Sequence, residues 1–150
     1  MKLQGSCHCG AVAFQIETEY VYPLMWCYCG RCRKTNGSPV SPYIKAPRGT
    51  LAVARGADSI RLYRIATNER AFCGTCGSSL YLLDSRWAEW VFPNAAAIDT
   101  PLPAPSQVAH IFVGSKAPWF PIHAPGPQFD EYPEAAIEDF HREWGLLDRS

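Results

Sequence analysis

The segment WCYCGRCRKTNG, residues 26–37, sets Cys27, Cys29 and Cys32 within six positions and places Arg31, Arg33 and Lys34 among and after them. Two further pairs stand elsewhere, Cys7 with Cys9 as Cys-x-Cys and Cys73 with Cys76 as Cys-x-x-Cys, so none of the seven cysteines is isolated. An odd count without a secretory signal argues against a disulfide framework and for metal ligation. Two complete tetrahedral thiolate sites take eight ligands, so the seven divide as four plus three. Cys7, Cys9, Cys73 and Cys76 suit a closed site, because two short turns from different hairpins can each offer two sulfurs to one zinc. That closure would join distant parts of the chain and make part of the folding free energy depend on metal.

The trio is local enough to wrap one metal from three sides through a tight loop at Gly30, leaving one coordination position open. Three protein ligands plus an exchangeable fourth is the catalytic pattern, whereas closed sites are structural. A histidine could instead close the trio, and His8, His110, His123 and His141 are available; His110 lies in a strand pattern, where a partly buried, satisfied ring is the commoner outcome. Thiol–disulfide exchange at Cys73-Gly-Thr-Cys76 competes as well, although this pair does not open a helix after a strand. An open thiolate-bound zinc could hold a substrate sulfur as thiolate at neutral pH, or polarise a carbonyl oxygen. Its excess negative charge calls for compensation, which Arg31, Arg33 and Lys34 are placed to supply, either to the ligand sulfurs or to an anionic thiol.

The elements that must carry these ligands read mainly as β-structure. AVAFQIE alternates Val12, Phe14 and Ile16 with Ala13 and Gln15, and SPYIKAP, TLAVARG, IRLYRIA, RAFC and SLYLLD follow at close intervals between turn residues. Short strands without helical spacers predict antiparallel sheets. RWAEWVFPNAAAID adds a strand and turn, and residues 108–113 another strand, amid Pro-rich loops. In the tail, Pro133 suits a first helical position, and Ile137, Phe140 and Trp144 recur at helical spacing, which predicts a C-terminal helix over about residues 133–148. With 150 residues and no composition break, one domain over 1–150 is expected.

Composition narrows the partners. Fourteen basic and fourteen acidic residues cancel, so no global positive field draws nucleic acid or an anionic membrane. No apolar run reaches the roughly 18 residues of a membrane span, and the opening MKLQGSCHCG lacks a signal-peptide core, so a soluble cytoplasmic protein is expected. The oligomeric state has no signature. Thr35, Asn36 and Ser38 are candidates for a substrate cleft, while Trp119, beside Pro118 and Phe120, is expected to pack in the core or a crevice.

In order and spacing, GSCHCGAVAFQIE, CYCGRCRKTNG, AFCGTCGSSLY and HIFVGSKAPWF resemble the glutathione-dependent formaldehyde-activating enzyme family, which includes centromere protein V, over about residues 4–122. The resemblance implies a β-tent fold of antiparallel sheets and two zinc ions per chain. Its pattern puts a structural zinc on Cys7, Cys9, Cys73 and Cys76 and a catalytic zinc on Cys27, Cys29 and Cys32, the division that counting also favours. It further implies a carbon–sulfur lyase activity that forms or cleaves S-hydroxymethylglutathione, an adduct of a small thiol and a small aldehyde. The sequence departs from the family at Tyr28, where members commonly carry histidine, and this bears on substrate identity and on proton transfer at that position. A zinc-stabilised interaction module without catalysis is the alternative function, predicting two closed sites or an empty trio.

Overall fold

The computed structural model describes residues 1–144. In chain order the elements are β1 (Lys2–Ser6), β2 (Ala13–Glu17), β3 (Met25–Cys27), α1 (Gly30–Asn36), β4 (Ser41–Tyr43), β5 (Ala46–Pro47), β6 (Ala52–Arg55), β7 (Ile60–Ile65), β8 (Asn68–Cys73), β9 (Ser79–Asp84), β10 (Trp90–Pro93), β11 (Ala109–Ile111) and α2 (Ile137–Trp144). The fold is mainly β, as expected. The chain divides into two compact units, one from Met1–Val21 with Lys45–Leu102, the other from Tyr22–Ile44 with the chain from Pro103 onward.

The first unit holds a three-stranded sheet in the order β1-β2-β6 and a five-stranded sheet in the order β5-β10-β9-β8-β7, every pair antiparallel. Alternation decides which faces are buried. Leu3 opposes Ile16 and Gly5 opposes Phe14, all four buried, while Lys2, Gln4, Gln15 and Glu17 point to solvent. Phe14 meets Tyr81 of β9 edge to face, ring centroids 5.6 Å apart, a geometry that adds to the burial of both rings. Strand β7 lies at the sheet edge with Arg61, Leu62, Tyr63 and Arg64 all exposed, and its two arginines discourage further strand pairing there.

The second unit is built on a small sheet in the order β11-β3-β4. Strand β3 pairs antiparallel with β4 but parallel with β11, the one departure from antiparallel pairing among the described strands. The segment SPYIKAP, expected as one strand, forms two: β4 belongs to this sheet and β5 to β10 of the first unit. Pro47 ends β5 without an N–H to extend the ladder. The strand expected within RWAEWVFP is confined to β10, because residues 85–87 form a 3-10 turn capped by the Asp84 carboxylate, which accepts from the Arg86 N–H.

The C-terminal helix is present but starts at Ile137 rather than Pro133. Asp139 marks the start: its carboxylate accepts from the Ala136 N–H at 3.2 Å, satisfying one donor at the helix N-terminus, and its own N–H closes the first turn on the Ala136 carbonyl at 3.0 Å. The expected continuation over 145–148 lies outside the described residues. Among those described, no helix is long and apolar enough to cross a membrane.

Candidate metal centres

Four sulfurs meet in the first unit. Cys7 and Cys9 occupy the turn between β1 and β2; Cys73 ends β8, and Cys76 lies in the turn leading to β9. Each turn is closed by a glycine after its second cysteine, Gly10 and Gly77, both at φ 79°, a left-handed conformation that other residues adopt at a cost. The Gly10 N–H donates to the Cys7 carbonyl at 3.1 Å and the Gly77 N–H to the Cys73 carbonyl at 2.8 Å. The two turns are therefore built alike despite their different cysteine spacings. The Val12 N–H donates to Cys7 Sγ at 3.2 Å, and the Ser78 hydroxyl lies 3.2 Å from Cys76 Sγ.

All four Sγ atoms lie within 4.8 Å of one another, with Cys7 to Cys9 at 3.6 Å and Cys9 to Cys73 at 3.9 Å. Tetrahedral zinc thiolates, with bonds of about 2.3 Å, require sulfurs about 3.8 Å apart. The residues present fit such an ion. The Ser78 hydroxyl first, then backbone hydrogen bonds with Cys9 and Ser78, hold the Cys76 thiol down to about 5, which favours the ligating thiolate.

The trio is assembled differently. Strand β3 ends at Cys27; the Tyr28 N–H donates to the Ile111 carbonyl of β11 at 3.1 Å, and Cys29 caps α1, its Sγ accepting the Cys32 N–H at 3.3 Å. Gly30 is thus the first residue of a helix rather than the pivot of a tight loop. The helix ends at Gly37, whose left-handed backbone at φ 62° returns an N–H to the Arg33 carbonyl. The three sulfurs lie within 4.8 Å of one another. Cys29 and Cys32 raise the Cys27 thiol far above its usual range through their hydrogen bonds, and burial adds to this. Three sulfurs gathered this closely are a soft donor set that fits a zinc ion.

Among the described residues no histidine joins the trio. His110, fully buried, is committed elsewhere: its Nε2 contacts the Ala124 carbonyl at 2.9 Å and its Nδ1 the Tyr28 hydroxyl at 2.7 Å. A carbonyl only accepts, so Nε2 carries the proton and Nδ1 of the neutral ring accepts from Tyr28. Burial pushes the His110 pKa down, against backbone hydrogen bonds to Ala124 and Pro125. Tyr28, also fully buried, is held between this ring and Phe120; burial raises its hydroxyl to about 12. The Tyr28 side chain is a buried anchor of the metal-binding segment, a role that sequence did not reveal. His141 Nδ1 lies 2.9 Å from the Tyr22 carbonyl.

The three cations separate. Cys32 is the buried residue of α1, and Arg31 and Lys34 project to solvent. Arg33 is half-buried and braced on backbone, donating from Nε to the Tyr28 carbonyl and from Nη2 to the Ser115 carbonyl, each at 3.4 Å. The cleft candidates turn to local bonds: the Thr35 hydroxyl donates to the Arg31 carbonyl at 2.6 Å and Ser38 to Val40 at 2.7 Å. Asn36 points to β4, donating to Ser41 and Tyr43 at 2.7 and 3.0 Å. Trp119, expected to be packed, is 72% exposed, with one edge against Phe120. Trp119 sits in a turn that the Phe120 N–H closes on the Ala117 carbonyl at 3.1 Å.

A family model described as glutathione-dependent formaldehyde-activating enzyme matches residues 2–115, a span containing all seven cysteines. A Halomonas elongata protein whose name provisionally assigns it to the same family is 36% identical over 97% of this chain and 98% of its own. A crystal structure of a Rhodobacter sphaeroides protein superposes with a TM-score of 0.58 at 29% identity, covering 67% of this chain and 91% of that one.

Proposed function

The chain belongs to the glutathione-dependent formaldehyde-activating enzyme family, and from that premise we propose that it is a zinc-dependent carbon–sulfur lyase acting on an adduct of glutathione, or a similar small thiol, and a small aldehyde such as formaldehyde. In this reading Cys7, Cys9, Cys73 and Cys76 hold a structural zinc, and Cys27, Cys29 and Cys32 hold a catalytic one. Residues 1–150 act as one domain of this family with a C-terminal helical extension. The observation that carries the reading is the trio: three sulfurs gathered within 4.8 Å, with no fourth histidine, cysteine or carboxylate among the described residues to close the set. Zinc there would supply Lewis acidity toward oxygen and a lowered pKa for a coordinated thiol.

The chain's own groups do the rest. In the synthetic direction the sulfur–carbon bond forms as the carbonyl π bond opens, and the thiol proton ends on the former carbonyl oxygen; cleavage is the reverse. Arg31 and Lys34, exposed on α1, receive the carboxylates of the thiol. Arg33 keeps the role its geometry supports, tying α1 to the Ser115 backbone. Burial of Cys27 and Cys32 excludes water behind the reacting sulfur. Seven cysteines, none of them in a disulfide, suit a reducing compartment, in keeping with a cytoplasmic enzyme.

The test is metal analysis followed by glutathione titration of cobalt-substituted protein. Two metals per chain, a spectral change at the trio and adduct exchange faster than the uncatalysed background are expected. No spectral change and no acceleration would overturn the reading in favour of an interaction module.

A further inference from the structure

Cys32 and Asn36 are four residues apart on α1 and so share a helix face. Ser41 and Tyr43 are two apart on β4 and share a strand face; both are buried. These two faces meet. The Ser41 hydroxyl donates to the Cys32 carbonyl at 3.3 Å, and the Tyr43 hydroxyl donates to Cys32 Sγ at 3.8 Å. Asn36 Nδ2 spans both hydroxyls.

The donor accounting orients the group. The Cys32 carbonyl can only accept, so the Ser41 proton is committed to it and Ser41 Oγ must accept from Asn36. That fixes the amide with Nδ2 toward the hydroxyls, and its second proton reaches the Tyr43 oxygen. Tyr43 accepts from Asn36 and donates its own proton to the sulfur. The orientation leaves Asn36 Oδ1, a buried acceptor, without a hydrogen-bond partner. An unpaired buried acceptor is unfavourable, so the orientation is maintained by what the two amide protons do.

We infer that Asn36, Ser41 and Tyr43 are positioning residues that act through Cys32: they hold its backbone and direct a hydroxyl proton at its sulfur, drawing charge from that ligand and making a metal on the trio a stronger Lewis acid. Hydrogen bonds to a ligand orient it and tune the metal it binds. The inference rests on the proposed metal centre. It removes Asn36 from the cleft, where the sequence put it, and gives it a role on the interior side of Cys32.

The test uses full-length protein loaded with cobalt, the trio's sulfur-to-cobalt absorption being isolated by subtracting the spectrum of a Cys27→Ser/Cys29→Ser/Cys32→Ser variant. Tyr43→Phe removes the donor, so the band should move to longer wavelength and zinc affinity at the trio should fall about tenfold. Asn36→Leu should shift the band the same way by a smaller amount, and in the Tyr43→Phe background it should add no shift, because Asn36 reaches the sulfur through Tyr43. If Tyr43→Phe does not fold, Asn36→Leu alone decides by the same band. A trio that loads but whose band ignores these substitutions overturns this inference alone, as do additive shifts in the double variant. A wild-type trio that takes up no cobalt overturns the metal centre and this inference together.

Discussion

The two cysteine clusters use the same ligand atom and differ in almost everything around it. The four-sulfur cluster joins turns 64 residues apart, as measured from Cys9 to Cys73, and two of its cysteines, Cys9 and Cys76, face solvent. The trio spans six residues; Cys27 and Cys32 are buried, and the trio is supported by β3, β4, β11 and the buried Tyr28–His110 pair. A cation on the first cluster ties the chain to itself across a long loop, so its binding free energy is folding free energy. Around the trio, hydrogen bonds and sheet pairing already fix the ligands. There a cation has less to do for the fold and more for chemistry.

The largest effect that could break this contrast is on stability. Cys73→Ser should lower the thermal midpoint by more than about 10 °C or prevent folding, since structural zinc contributes on the order of 10 kcal/mol against a typical domain stability of about 5–15 kcal/mol. Calorimetry with metal analysis measures this, and a stable, fully active Cys73→Ser protein would remove the distinction. Cys29→Ser should leave the midpoint within a few degrees, reduce bound metal from two ions to one and abolish acceleration of adduct exchange. If it unfolds the protein as Cys73→Ser does, the trio is structural as well.

A smaller effect concerns the support of the trio. The folded pKa of His110 lies below its ordinary 6.5 because of burial, so the unfolded chain binds the extra proton in acid. The stability this group contributes is full above about pH 6.5 and is lost as pH falls through the folded value. Urea midpoints should therefore fall between about pH 7 and pH 5, and His110→Gln, which keeps a donor and an acceptor, should show a shallower fall. Equal slopes would mean that His110 does not govern this window. The smallest effect should come from the exposed cations: Arg31→Ala with Lys34→Ala should raise KM for glutathione up to about fivefold without changing kcat, as expected of screened surface charges worth about 1 kcal/mol or less. An unchanged KM would leave the thiol's carboxylates to other groups.

Much of the fold was legible because period-two alternation is a local signal. Phe14 and Ile16 on one face of β2 show that period, and the runs that became β7, β8 and β9 announce themselves by β-branched and aromatic residues between turn residues. β1 and β3 were missed: KLQGS is too polar and MWC too short to show a period, and each is a strand because of its partners. α1 was hidden for a related reason, since seven residues with one buried position offer no apolar stripe. Trp119 was misplaced because ring size says nothing about which way a Pro-flanked segment turns.

Sequence alone determined the inventory and its partition. Seven cysteines in three groups, with turn glycines and cations beside them, favour a division of four plus three before any coordinates are considered, because ligand count and spacing are covalent facts. The tertiary structure decided which neighbours those sulfurs have. It brought the turn at Cys7 to the turn at Cys73, directed Tyr28 into His110, braced Arg33 on backbone, and set Tyr43 and Asn36 against Cys32. Hydrogen-bond direction and burial depend on residues distant in the chain, so they follow only once the chain has folded.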